Sequence, residues 1–109
     1  MKKTIIGLTE KIKIKDKIVT AKIDTGATMS SIHIRLAAKL ELGPLLSSTK
    51  RYKNVHGSKS RALIKVPFKI KNRKMNFKFN IMDRKDMKYK VLIGQNILKK
   101  NFLIDPSKK

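Results

Sequence analysis

The sequence predicts a small, mainly β domain whose strands close on one another, with one or two short helices. Three observations predict it. Apolar residues recur at every second position in several short segments, turn-forming residues separate those segments, and the only helix-forming stretches are too short to build a helical layer. At 109 residues the chain is long enough for one core and short for two, so a single domain over residues 1–109 is expected.

Ile12 and Ile14, then Ile18 and, after a shift, Ala21 and Ile23, alternate with lysines around Asp16-Lys17, which reads as two strands joined by a tight turn. The second strand runs into the small-residue turn Asp24-Thr25-Gly26-Ala27, and Ser31 to Ile34 reads as another short strand. Residues 35–42 are good helix formers, stopped by Gly43-Pro44. From about 49 to 70 the pattern is Tyr52, Val55, a His56-Gly57-Ser58 turn, then Ala62, Ile64, Val66, Phe68 and Ile70, which predicts a long β-hairpin. Asn72-Arg73 punctuates it, and Met75, Phe77, Phe79 and Ile81 restart the alternation. Asp83 to Lys88 reads as a charged loop. Val91-Leu92-Ile93 is fully apolar and ends at Gly94, Gln95 to Lys100 can form a short helix, and Phe102-Leu103-Ile104 follows. The tail 105–109 is expected to fray at its end. Ala21 to Gly26 and Val91 to Gln95 echo one another, each delivering an apolar strand into a glycine turn.

Twenty-eight Lys and Arg against seven acidic residues give a formal charge of +21, a surface that attracts polyanions: nucleic acid, anionic membrane or acidic protein segments. Lysine-rich composition alone accounts for it equally well. There is no cysteine, which excludes disulfides, thiolate zinc sites and a cysteine nucleophile. Thr4 to Leu8 after Met1-Lys2-Lys3 imitates the start of a leader, but Thr9-Glu10-Lys11 ends the apolar run too early. No longer apolar run follows, so neither a membrane span nor a membrane partner is expected, and the cytoplasm is the expected location.

Asp24-Thr25-Gly26-Ala27 carries the chemistry. Gly26 lets the backbone bend and its amide point at the carboxylate, and the Thr25 hydroxyl can bond backbone across a partner loop. The tripeptide by itself is equally an ordinary turn. Two such carboxylates face to face cannot both ionise easily, so they share one proton; the ionised one can take a proton from water while the neutral one donates to a carbonyl oxygen. Asp16, Asp83, Asp86 and Asp105 lack the small-residue context, so the second carboxylate is expected from an identical chain across a twofold axis.

Ala21-Lys22-Ile23-Asp24-Thr25-Gly26-Ala27-Thr28-Met29-Ser30-Ser31-Ile32 resembles the active-site segment of retropepsins, and Val91 to Leu98 resembles their C-terminal Gly-Arg-Asn helix segment. A nearer resemblance is to the retropepsin-like family labelled ATP-dependent zinc proteases, which often accompanies ATP-grasp glutamate ligases. Its members read much like Lys22 to Ala27, then Ser31-Ile32-His33, and end much like Val91 to Gly94 followed by Phe102 to Ser107. The resemblance implies a closed β-barrel of the retropepsin (acid protease) type and a homodimeric aspartic endopeptidase. Asp24 would be catalytic, and Thr25, Gly26 and Ala27 would form its loop. A flap hairpin at about 50–66 would carry His56, Gly57 and Ser58, and Ile93 and Gly94 would form a supporting turn.

Two departures stand out. Retroviral enzymes place an Asp after the Ala of the motif and an Arg after the later Gly, which together form an ionic brace; this chain has Thr28 and Gln95. The zinc label finds no ligand set, because His33 and His56 are the only histidines and no His-Glu-x-x-His pattern occurs. No metal and no cofactor is expected. Acidic or glutamylated peptides are the expected substrates, since the basic field would draw them in. A second reading is a basic, non-catalytic β-domain binding nucleic acid or another polyanion; two tyrosines and four phenylalanines offer it few stacking platforms, and no RNA-binding signature is present.

Overall fold

The structure, a computed structural model, describes residues 2–46, 50–54 and 57–109, with no side-chain description for 50–54 and 57–61. Its strands are β1 (Thr4–Ile6), β2 (Thr9–Ile14), β3 (Lys17–Ile23), β4 (Ser30–His33), β5 (Lys50–Asn54), β6 (Gly57–Arg61), β7 (Leu63–Ile70), β8 (Arg73–Met82), β9 (Val91–Ile93) and β10 (Phe102–Ile104). Helix α1 spans Ile34–Lys39 and α2 spans Gln95–Leu98.

Six strands close a barrel in the order β2-β3-β9-β4-β8-β7. The alternation read from the sequence builds its wall: Ile12, Ile14, Ala21, Ile23, Ile64, Val66, Phe68 and Ile70 point inward, while the lysines between them point out. Phe68 and Phe79 meet edge to face inside, with ring centroids 5.7 Å apart. β9 is apolar at every position because it lies between β3 and β4 and is buried throughout. The echoing segments lie side by side, with Ala21, Lys22 and Ile23 pairing in parallel with Val91, Leu92 and Ile93. Lys71 and Asn72 turn β7 into β8 with φ of 48° and 68°, the two positive values of a tight hairpin turn.

The structure corrects several boundaries. The hairpin expected at about 50–66 consists of β5 and β6 and ends at Arg61, because Leu63 onward pairs with β8 along its whole length and sends its apolar side chains into the core. Gly57 and Ser58 are strand residues and not turn residues, Gly57 pairing with Asn54; His56 lies outside the described residues. The helix expected over 35–42 starts at Ile34 and stops at Lys39, where Leu40 caps it and Glu41 follows at positive φ. The expected helix from Gln95 ends at Leu98. The leader-like start is the strand β1, which pairs in parallel with β10.

The tail is tied down over 105–108. Asp105 N–H donates to Ile6 O (2.8 Å), Leu8 N–H to Lys108 O (2.9 Å), and Ser107 donates through both its hydroxyl and its amide to Asp105 Oδ1. A Cβ at Gly7 would stand 2.6 Å from the Lys108 carbonyl oxygen, so the tail packs where only glycine fits. No helix among the described residues is long and apolar enough to cross a membrane.

Candidate active site

β3 ends by delivering Asp24, half-buried, onto the end of the barrel. The Asp24 amide donates to Ile93 O (2.9 Å), its carbonyl accepts from Ala27 N–H (3.3 Å), and its Oδ1 accepts from Gly26 N–H (2.9 Å). The carboxylate is therefore oriented by its own loop, and the neighbouring Thr25 and Gly26 are exposed.

The far side of this loop is held by β9, Gly94 and α2. A Cβ at Gly94 would lie 2.7 Å from Met29 O and 2.8 Å from Ala27 O, so close approach of backbone fixes this glycine. Gln95 N–H donates to Ala27 O (2.8 Å) and Asn96 N–H to Thr28 O (3.2 Å). Gln95 Nε2 donates to Thr25 O (2.7 Å). Ser30, fully buried, accepts from Gly94 N–H at its Oγ (2.9 Å) and donates to Asn96 Oδ1 (2.8 Å). Asn96 also accepts from Ser30 N–H and donates to Lys78 O. Asp24, Thr25, Gly26 and Ala27 thus meet Ile93 and Gly94 in one unit, while Gly57 and Ser58 are described as strand backbone alone and His56 not at all.

The loop after β8 forms the third wall, and sequence reading gave it no role. Lys90 Nζ donates to the carbonyls of Arg84 (2.9 Å), Lys85 (2.8 Å) and Met87 (3.1 Å), so the loop is wound about one ammonium. Arg84 is 5% exposed and donates from Nε to Tyr89 O (2.9 Å) and from Nη1 to Met82 Sδ (3.9 Å). Burial pushes its pKa down, and the charge of Asp24 opposes that shift. Lys22, Asp24, Arg84, Met87, Lys88, Tyr89 and Leu92 line one cleft of about 420 Å³.

His33 is buried, and its Nδ1 accepts from Arg84 N–H (2.9 Å), which leaves that nitrogen unprotonated; its 3.9 Å approach to Asp83 Oδ1 is no ion pair in this state. No group of three His, Cys, Asp or Glu stands together among the described residues. His33, with Nδ1 committed to a backbone amide, does not fit a zinc ligand set.

A family described as "gag-polyprotein putative aspartyl protease" matches residues 11–100, a span that includes the Asp24 loop, Arg84 and the Gly94 turn. The chain belongs to this aspartyl protease family. No curated protein sequence matches it significantly. Among solved structures it is similar to Lpg0085 of Legionella pneumophila, a protein of unknown function, with 21% identity, TM-score 0.67, and 95% of this chain and 94% of that chain covered. EIAV protease, solved with the inhibitor HBY-793, aligns at 22% identity and TM-score 0.66 over 84% of each chain. The retroviral protease-like domain of Ddi1 from Leishmania major aligns at 25% identity and TM-score 0.64, covering 84% of this chain and 75% of that one. The barrel is a retropepsin-like aspartyl protease fold.

Within that fold Gln95 takes a role of its own. Where the retroviral pattern has an arginine, its amide fastens the Asp24 loop of its own chain through Thr25 O. The Ser30–Asn96 pair was missed in the sequence although Asn96 lay in plain view after Gly94; its partner stands 66 residues away. Arg84 left no periodic signal at all.

Proposed function

We propose that the chain is half of a homodimeric aspartic endopeptidase, with Asp24 as the catalytic carboxylate of each half. The observation that carries this reading is Asp24 itself: half-buried, oriented by Gly26 N–H, on a loop tied to β9 and α2, in a member of an aspartyl protease family. A single carboxylate cannot act as both base and acid at one moment. Two Asp24 side chains across a twofold axis can, since close carboxylates share a proton.

The ionised Asp24 takes a proton from a water between the pair as the water oxygen attacks the scissile carbonyl carbon. The neutral Asp24 donates its proton to the carbonyl oxygen, giving a gem-diol. Collapse of the diol breaks the C–N bond, the leaving nitrogen takes a proton, and the pair returns to its singly protonated state with a carboxyl and an amine as products. Gly57 and Ser58 belong to the hairpin proposed as the flap that excludes water.

The surface supports a second copy as partner. β1 and β10 form a ribbon of two strands, and among the described residues no further strand pairs with either outer edge. Ile5 and Leu103, paired in register, are 50% and 53% exposed, and Leu8, 48% exposed, accepts from the amide of Ile23 beside Asp24. Acidic or glutamylated peptides are the proposed substrates, on the charge of +21. Kinship with the ATP-grasp-associated proteases is part of the same proposal and rests on the segments quoted above.

Asp24→Asn tests it. Peptidase activity should fall at least about a thousandfold with the fold unchanged by circular dichroism. Activity retained in the variant would remove Asp24 from the chemistry.

A further inference from the structure

We propose that the cleft beside Asp24 is a carboxylate-binding subsite, in which Arg84, Lys22 and Lys88 hold an acidic side chain of the substrate next to the bond being cut. The inference rests on the dimeric peptidase reading above. Twofold symmetry then repeats the subsite on the other side of the scissile bond, so the preferred bond lies between two acidic residues.

Arg84 carries the inference. A guanidinium has five N–H donors and is costly to bury without a counter-charge. Arg84 is 5% exposed, yet among the described residues no carboxylate lies within ion-pair distance of it: the one ion pair is Lys71 with Glu10, and Asp24 acts on the Arg84 charge only from farther off. Its Nε and Nη1 are engaged by a carbonyl and a thioether sulfur, and Nη2, which is not fully buried, makes no hydrogen bond among the described residues. The loop bearing it is fixed by Lys90, so the charge stays at the cleft wall.

The surroundings fit the same ligand. Lys22 and Lys88 are exposed at the cleft, and Leu92 and Tyr89 offer apolar surface for methylenes. Asp24 is the one acid among the described residues that line the cleft. In the working dimer the two Asp24 carboxylates share a proton and carry one negative charge between them, against two Arg84 guanidinium groups. A net positive charge remains for the substrate to meet.

Three peptides test it: one with Glu on both sides of the scissile bond, one with Gln at both, and one with Gln at both but two Glu placed far from the bond. At about 0.15 M salt, kcat/KM for the first should exceed that for the second by about tenfold or more, and the remote acids should restore little of it. Arg84→Met should erase the preference and Arg84→Lys should keep part of it. Should Arg84→Met fail to fold, the exposed pair Lys22→Gln with Lys88→Gln carries the test and should reduce the preference several-fold. Equal cleavage of the Glu and Gln peptides, or full rescue by remote acids, would overturn the subsite. Should the wild-type chain cleave none of them, calorimetry of Asp24→Asn decides between the two ideas. Tighter binding of the Glu peptide would keep the subsite and sink the peptidase reading, and equal binding would sink both.

Discussion

Ser30 has no charge and no part in bond breaking, yet its buried hydroxyl joins the Gly94 amide to Asn96 and so holds the wall against which the Asp24 loop stands. Removing it leaves a buried N–H without an acceptor. Ser30→Ala should therefore cost about 1–3 kcal/mol in urea unfolding, with a fall in kcat as the Asp24 loop loosens. Asp24, Gly26 and Gly94 could be read from the sequence because their chemistry is local: a carboxylate, the amide two residues on, and glycine turns after apolar strands. Ser30, Asn96 and Arg84 could not. Ser30 and Asn96 bond each other across 66 residues, Ser30 accepts from Gly94 across 64, and the Arg84 amide donates to His33 across 51, and no periodicity encodes such partners.

At the scale of elements the alternation of apolar residues gave the strands and withheld their partners. β7 reads as the second arm of a hairpin because it follows β5 in phase; it is a barrel strand because its inward face is apolar along its length. The loop from Asp83 to Lys90 looked merely charged, since an ammonium wrapped by carbonyls resembles a solvated lysine in one dimension. Lys90→Met should release the three carbonyls, lowering stability by about 1–3 kcal/mol in thermal unfolding and speeding amide exchange across the loop. The tail turn carries a pH dependence. Hydrogen bonds from Ser107, its hydroxyl first and then its amide, hold the Asp105 carboxyl below its usual range. A lowered folded-state value means that this stabilisation is present above about pH 4 and is lost as the pH falls through the lowered value. Protection factors of the Leu8 and Ser107 amides, exchange taken relative to its intrinsic rate at each pH, should fall over that acidic window and stay flat above it.

The whole molecule sets the conditions under which the proposed dyad works. Two copies bring twice the charge of +21 around a pair that needs to keep one proton, and a positive field favours the doubly ionised pair. The rate should peak below neutrality, and added salt should move the peak upward by screening the distant lysines. A pH–rate profile in two salt concentrations checks this, and a maximum above neutrality would contradict it. The closed β-structure was legible from the alternation of apolar residues and the turns between them; of the proposed twofold assembly the sequence foreshadows only the single Asp-Thr-Gly, and the β1–β10 ribbon that supports it was not legible there. The decisive measurement mixes wild-type chain with Asp24→Asn chain at fixed total concentration and follows peptidase rate. A site shared by two chains makes the rate fall as the square of the wild-type fraction, whereas a rate that falls in simple proportion would show that each chain works alone.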